Sequence, residues 1–204
     1  YGGYKDSAFE NLLPVTIATS EKKQGTTIVL AIDISGGTEK EYEGQQLSSI
    51  IKGTATSILN NIRDTSNVGI VAFNNKAYTI SEISPLSDKK EELIDKILSL
   101  ELFENSYIPV GVQEAINLLN RTTTAHTTIN GNIILLSDGI SGGIGLAKNL
   151  AANAASQGVK TYGVGVGDPC IEYDSTTGEC ERLSTETIGI EAVKAIALAG
   201  GGAY

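Results

Sequence analysis

The most informative part of the sequence is residues 26–38, Thr-Thr-Ile-Val-Leu-Ala-Ile-Asp-Ile-Ser-Gly-Gly-Thr. Its apolar run from Ile28 to Ile32 is rich in β-branched residues, which is typical of a strand buried on both faces in a parallel sheet. The run ends in Asp33 and Ser35, and two glycines follow. Polar residues at the carboxyl end of a central strand lie in the crevice where open α/β sheets bind ligands. The stretch therefore predicts a central strand that leads into a binding site.

A second run of the same kind, Asn132 to Leu136, ends in Ser137-Asp138-Gly139. Two central strands that each end in an aspartate would bring Asp33 and Asp138 to one edge of the sheet. Clustered carboxylate oxygens suit hard cations such as Mg²⁺ or Ca²⁺. Each aspartate taken alone is better explained as a cap of a helix or turn. The two together favour a shared site.

Strand and helix patterns alternate along the rest of the chain. Helical spacing of apolar residues covers 47–62, 89–100, 109–120, 146–157 and 186–198, and strand patterns cover 67–73, 77–83 and 159–166, with one more strand starting at 203–204. Asn74-Asn75 predicts a tight turn that makes 77–83 an antiparallel edge strand, and Ser87-Asp88 predicts a helix cap. The order predicts a doubly wound α/β fold with a mostly parallel central sheet and one antiparallel edge strand.

Composition narrows the class of protein. The 204 residues suffice for one well-buried domain, and the hydrophobic fraction of 41% is ordinary for a globular protein. The net charge of −9, with scattered basic residues, argues against nucleic acid as a partner. No apolar run approaches the roughly 18 residues of a membrane span. Because the chain starts at Tyr1 and contains no Met, we expect a piece of a longer protein. Residues 1–25 are expected to form an N-terminal arm or the tail of a preceding domain.

The two cysteines, Cys170 and Cys180, lie ten residues apart. Their spacing predicts a disulfide that closes a loop or hairpin, worth on the order of 2–3 kcal/mol; two free thiols are the alternative. A disulfide favours an extracellular or cell-surface setting. Two cysteines are too few for a structural zinc site, and we interpret the lone His126 as part of a solvated, threonine-rich loop.

The order of these features resembles a von Willebrand factor type A domain over residues 26–204. The resemblance rests on six linked stretches: Asp33-Ile34-Ser35-Gly36, the 67–73 strand containing Val-Gly-Ile-Val-Ala-Phe, Ser84-Pro85-Leu86-Ser87, Leu135-Leu136-Ser137-Asp138-Gly139, Tyr162-Gly163-Val164-Gly165-Val166-Gly167, and the terminal Ala197-Leu198-Ala199-Gly200-Gly201-Gly202-Ala203-Tyr204. The family's domain usually ends with a helix after the last strand, and that helix is apparently absent here. Residues 1–15 are similar to the tail of amidotransferase-like domains that precede A domains in some membrane-anchored proteins.

The resemblance implies a metal-ion-dependent adhesion site, which in this family reads Asp-x-Ser-x-Ser, a Thr before the middle helix and an Asp after the fourth strand. Asp33, Ser35 and Asp138 match that pattern. Gly37 and Ile108 stand where the family has a second Ser and the Thr, so the site is degenerate. Mg²⁺ or Ca²⁺ is the implied cofactor, unless the carboxylates are held by backbone amides alone.

Three nearby residues, Thr38, Glu104 and Ser106, could replace the missing ligands if the loops shift by one residue, and water could also complete the shell. The expected binding rim around the site consists of Gly36, Gly37, Tyr107, Ile108, Gly139 and Ile140.

Two functions follow from the resemblance. The first is a protein-binding or adhesion module of a larger surface or secreted protein, with a cation whose open position takes a carboxylate from a partner. The alternative is a structural or assembly subunit of a cell-surface layer or filament without a working metal site. An enzyme is not expected, because the sequence offers no nucleophile–base pair and no phosphate-binding loop.

Overall fold

The structure, a computed structural model, describes residues 25–35, 41–42, 45–103, 105–121, 131–166, 170–173, 180–183 and 185–204. The strands in these ranges are β1 (Thr27–Asp33), β2 (Glu41–Tyr42), β3 (Gln45–Gln46), β4 (Asn67–Phe73), β5 (Ala77–Pro85), β6 (Gly131–Ser137), β7 (Val159–Gly165), β8 (Cys170–Tyr173) and β9 (Cys180–Leu183). The helices are α1 (Leu47–Asn61), α2 (Leu86–Leu98), α3 (Ile108–Arg121), α4 (Ile144–Ser156) and α5 (Thr185–Ala199).

The main sheet has five strands in the order β5-β4-β1-β6-β7. β1 pairs in parallel with β4 and with β6, β6 pairs in parallel with β7, and β5 runs antiparallel to β4. This confirms the predicted mostly parallel sheet with one antiparallel edge strand. From β1 the chain builds β4 and β5 on one side and later β6 and β7 on the other. The strand order therefore reverses between β1 and β6, and a crevice opens there at the carboxyl ends of the strands.

Two apolar layers enclose the sheet, because successive side chains of β1 point to opposite faces. Leu30 and Ile32 pack in one layer with residues of α1 and α2. Val29 and Ala31 pack in the other layer with residues of α3, α4 and α5. All four side chains are fully buried, which explains why β1 is apolar from Ile28 to Ile32 and confirms helices on both faces.

The start of α2 differs from the prediction. The helix begins at Leu86, with Pro85 as N-cap and no side-chain cap hydrogen bond, so the predicted cap at Ser87-Asp88 is wrong. The Ser87 hydroxyl instead donates to the Asp88 carboxylate at 2.8 Å. Leu86 is fully buried, and burial of a leucine contributes roughly 1.5–3 kcal/mol, more than a typical cap of about 1 kcal/mol. Packing therefore determines where this helix begins.

The two cysteines lie in the hairpin formed by β8 and β9, whose backbone pairs Cys170 with Leu183 and Tyr173 with Cys180. The cysteines thus occupy different pairs of the hairpin, whereas a disulfide needs Cα atoms within about 7 Å. The backbone register gives the disulfide no support. Their side chains lie outside the described residues, so the disulfide stays a prediction.

The end of the chain adds to the β7 edge of the sheet. Gly201 forms a parallel bridge with Thr161, and the Gly163 N–H donates to the Ala203 carbonyl at 3.0 Å. The contact is an isolated bridge, and no strand is assigned at residues 203–204, where the start of one more strand was predicted. Residues 1–24 of the predicted N-terminal arm (1–25) and His126 lie outside the described residues. None of the helices in the described ranges has the length and apolarity needed to cross a bilayer.

Candidate functional site

Asp33 is the centre of a buried polar cluster at the carboxyl end of β1. Asp33 is only 1% exposed to solvent. Its Oδ1 accepts hydrogen bonds from the Ser35 backbone N–H at 2.9 Å and from the Ser35 hydroxyl at 2.5 Å. A carboxylate that accepts from a residue two positions later forms a local turn, which fixes both groups at the strand end.

Hydroxyls from two distant segments complete the shell of Asp33. The Ser137 hydroxyl, at the end of β6, donates to Asp33 Oδ2 at 2.6 Å, and the Ser106 hydroxyl, just before α3, donates to the same oxygen at 3.0 Å. These contacts link positions 104 and 73 residues apart in the chain. Three segments therefore meet at one carboxylate.

Asp138 follows directly after β6 and is 5% exposed. Its Oδ1 accepts from the Ile140 N–H at 3.0 Å, while the Gly139 N–H donates to Ser137 Oγ at 2.9 Å. Gly139 has a left-handed backbone, with φ of 71°, a conformation that glycine adopts without steric cost. The loop after β6 thus turns tightly and keeps Asp138 at the crevice.

The two carboxylates interact electrically. Burial raises the pKa of Asp33 from 3.8 to about 6; hydrogen bonds from Ser137 and Ser35 oppose the rise, and the negative charge of Asp138 adds to it. A carboxylate removed from water resists ionisation, and a like charge nearby increases that resistance. The pair therefore forms a site where additional positive charge would be favourable.

The donor set fits a hard cation in its chemistry. Two carboxylates, Asp33 and Asp138, and the hydroxyls of Ser35, Ser106 and Ser137 supply oxygen atoms, the ligand type that Mg²⁺ and Ca²⁺ prefer. Within the described ranges no group of three or more His, Cys, Asp or Glu side chains suited to a metal is present. Any cation site here would thus depend on serine hydroxyls, which now donate to Asp33.

The structure describes some of the predicted site residues and not others. Asp33, Ser35 and Asp138 lie together at the crevice, whereas Gly36 and Gly37 lie outside the described residues. Ile108 is fully buried, and its N–H donates to Ser141 Oγ at 2.8 Å.

Of the three residues offered as replacement ligands, Ser106 is the one placed against Asp33; Thr38 and Glu104 lie outside the described residues.

The rim of the crevice carries exposed apolar side chains. Tyr107 is 37% exposed and Ile140 is 42% exposed. Phe103, 48% exposed, also lies here, because it bridges to Ser35 and its N–H donates to the Ile34 carbonyl at 2.8 Å. These exposed apolar side chains border the polar cluster at Asp33.

Sequence reasoning missed Ser137 and Phe103 as site residues. Ser137 could have been found, because it is the last residue of a buried strand and directly precedes Asp138. Phe103 carries no such signal, since its place at the rim depends on a loop that crosses from α2 to α3.

The family model of the von Willebrand factor type A domain matches residues 27–187. The chain belongs to the von Willebrand factor type A family. The matched range contains β1, β6 and the loops that carry every residue of the Asp33 cluster. A comparison with curated proteins finds no match to this von Willebrand factor type A chain.

Solved structures share the fold at low sequence identity. The conserved hypothetical protein BatB from Bacteroides thetaiotaomicron is 19% identical, with a TM-score of 0.66, and the match covers 87% of this chain and 88% of BatB. The pilus adhesin SpaC from Lactobacillus rhamnosus GG is 14% identical, with a TM-score of 0.63, and the match covers 89% of this chain and 28% of SpaC. The minor pilin PilB from Streptococcus sanguinis is 13% identical, with a TM-score of 0.62, and the match covers 92% of this chain and 58% of PilB. At such identity the likeness shows the von Willebrand factor type A fold alone.

Proposed function

We propose that this von Willebrand factor type A domain is a non-enzymatic protein-binding module that recognises its partner at the crevice between β1 and β6. The observation that carries the proposal is the convergence of Ser35, Ser106 and Ser137 on the buried carboxylate of Asp33. A cluster built from three segments at the reversal point of the sheet is where this architecture binds ligands.

The proposal includes a divalent cation, Mg²⁺ or Ca²⁺, held by Asp33, Asp138 and the serine hydroxyls. When bound, the cation would neutralise part of the paired negative charge and offer an open position to a partner's carboxylate. The protein's own contribution is to orient the oxygen atoms and to surround them with the apolar rim of Phe103, Tyr107 and Ile140.

An extracellular or cell-surface setting belongs to the same proposal. Two of the similar structures support this setting, because one is described as a pilus adhesin and the other as a minor pilin. The predicted disulfide between Cys170 and Cys180 would suit that setting, and the parent protein would be secreted or anchored in a membrane.

Cation binding is tested by measuring the Tm of the protein in EDTA, MgCl₂, CaCl₂ or MnCl₂. A ligand at 100 times its dissociation constant stabilises a protein by about 2.7 kcal/mol, which is roughly 5–10 °C in Tm for a chain of this size. We expect Asp33→Asn and Asp138→Asn to abolish the shift. Glu91→Gln, which changes an exposed carboxylate on α2, is the matched control and should keep it. Equal Tm values with EDTA and millimolar metal would reject the cation.

A structural or assembly role without a metal is the second candidate. It is favoured by one observation: both oxygens of Asp33 already accept hydrogen bonds from protein donors, so the cluster is satisfied without a cation. This role predicts self-association, which sedimentation velocity in EDTA would detect as oligomers that grow with protein concentration. A strict monomer across that range would contradict the assembly role.

A further inference from the structure

A second surface, a groove between α3 and α4, lies beside the crevice. Its volume is about 390 Å³, and its lining includes Tyr107, Pro109, Val110, Leu146 and Leu150. Leu146 is 49% exposed and Tyr107 is 37% exposed. This volume falls within the range of pockets that bind small molecules, roughly 300–1,000 Å³. The walls are therefore suited to an aliphatic or aromatic segment.

One side of the groove is polar, because Gln113, Glu114 and Asn117 of α3 also line it, and Glu114 makes that side acidic. Glu114 Oε1 accepts from the Thr79 hydroxyl at 2.8 Å and from Arg121 at 3.1 Å, and its Oε2 accepts from Asn117 Nδ2 at 3.1 Å. Burial raises the pKa of Glu114, but the hydrogen bonds from Thr79, Asn117 and Arg121 outweigh burial and hold the pKa below its ordinary value. Glu114 is therefore ionised at neutral pH.

The local charge remains negative after the internal ion pairs are counted. Arg121 contacts both Glu114, at 3.1 Å, and Glu82, at 3.7 Å. Two carboxylates thus share one guanidinium. Because a carboxylate oxygen can accept about two hydrogen bonds, Glu114 Oε2 can accept a further donor beside Asn117.

The groove is continuous with the crevice rim through Tyr107. The ring of Tyr107 lies against Gly142 and Gly143 in the loop after Asp138, and the same ring lines the groove. A polypeptide bound across the rim would therefore reach the groove without leaving the surface.

We propose that the groove binds a long basic side chain, arginine or lysine, presented by the partner polypeptide. The aliphatic stem of such a side chain would pack between Val110, Leu146 and Leu150, and its cationic end would meet Glu114. Long basic side chains bury their stems against apolar surfaces while the charged end finds a polar partner. The Tyr107 ring adds a face on which a cation is attracted.

The negative charge of the groove favours a basic side chain over a second copy of this chain or a neutral apolar molecule. A second copy of this chain would bring a net charge of −9 to a surface that is already negative, and a neutral apolar molecule would leave the acidic side of the groove unused. The inference rests on the proposed function, since it adds a second contact for the same partner, but it does not require the cation.

The test uses the full chain labelled with ¹⁵N and titrated with N-acetyl-arginine methylamide. N-acetyl-citrulline methylamide, which is nearly the same shape without the charge, is the matched probe. We expect the arginine probe to shift the amide signals of Val110, Gln113, Asn117, Leu146 and Leu150 with a millimolar dissociation constant. The citrulline probe should bind at least five-fold more weakly.

Two variants make the result specific. Glu114→Gln should weaken the arginine probe at least five-fold, and Leu146→Lys, a change on an exposed wall, should block the groove with a competing cation. Asp33→Asn should leave probe binding unchanged, so failure of the cation site and failure of the groove can be told apart. Equal binding of both probes, shifts outside the groove, or self-association that alone perturbs these signals would overturn the proposal.

Discussion

The ends of β1 and β6 carry the same chemistry but hold it in different ways. At the end of β1, Asp33 is held by Ser35 nearby and by Ser106 and Ser137 from distant segments. At the end of β6, Asp138 accepts from the Ile140 N–H within its own loop, which turns at Gly139. The first aspartate joins three parts of the fold, and the second belongs to a turn whose backbone shape positions it. The comparison shows that two similar motifs can position a carboxylate in different ways. One uses hydrogen bonds from distant segments, and the other uses a tight backbone turn.

The largest expected effect comes from breaking the turn after β6. Gly139→Val forces a β-branched residue into a backbone with φ of 71°, and its Cβ would collide with the Gly189 backbone of α5. We expect a loss of roughly 3 kcal/mol or more in the free energy of unfolding, measured by urea denaturation. Gly53→Ala is the control, because a Cβ there meets nothing within 4 Å; in a helix it should stabilise by about 0.5–1 kcal/mol. Equal effects of the two substitutions would mean that the turn is not held against α5.

The next largest effect is the pH dependence of stability that comes from Asp33. Folded Asp33 has a pKa of about 6, against 3.8 for an aspartate in its ordinary, unperturbed state, so the folded protein binds this proton more tightly than the unfolded chain does. The stability from the protonated carboxyl is fully present below about pH 4 and is lost as the pH rises through 6. In metal-free buffer, the difference in unfolding free energy between wild type and Asp33→Asn should fall by roughly 3 kcal/mol over that interval, at about 1.36 kcal/mol per pKa unit.

Asp138→Asn provides the second half of this test. Removing the negative charge of Asp138 should lower the pKa of Asp33, because that charge raises it. The ¹³C shift of the Asp33 carboxyl during a pH titration would measure the change. An Asp33 midpoint that stays fixed would show that the two carboxylates do not interact.

A smaller effect separates the hydroxyls that hold Asp33. Ser137 is fully buried, donates to Asp33 and accepts from the Gly139 N–H, so Ser137→Ala removes the shorter of the two hydrogen bonds to Asp33 Oδ2 and the acceptor of the Gly139 N–H. Ser106 is only half-buried, and water can replace its hydroxyl. We expect losses of about 2 kcal/mol for Ser137→Ala and about 1 kcal/mol for Ser106→Ala, measured by urea denaturation. Ser156→Ala, on the exposed end of α4, should change stability by less than either. The reverse order of the first two would place the main support of Asp33 in the loop before α3.

Much of this architecture could be predicted from local patterns. The apolar run of β1 and the matching run of β6 identify central strands, because only strands covered on both faces are apolar along their whole length. The turn at Asn74 follows from its side chain, which accepts from the Lys76 N–H at 2.8 Å. The start of α2 was missed, because burial of Leu86 outweighs the capping preference of Ser87 and Asp88.

Strand patterns and polar strand ends are local properties, so they were enough to predict that aspartates follow two central strands. Which distant hydroxyls reach Asp33 depends on the tertiary structure. Ser106 and Ser137 are brought there by strand order and by the path of the loop before α3, and no local pattern encodes a contact between residues 73 or 104 positions apart. The same reason applies to the groove between α3 and α4, whose apolar walls and acidic side come from separate helices that only packing brings together.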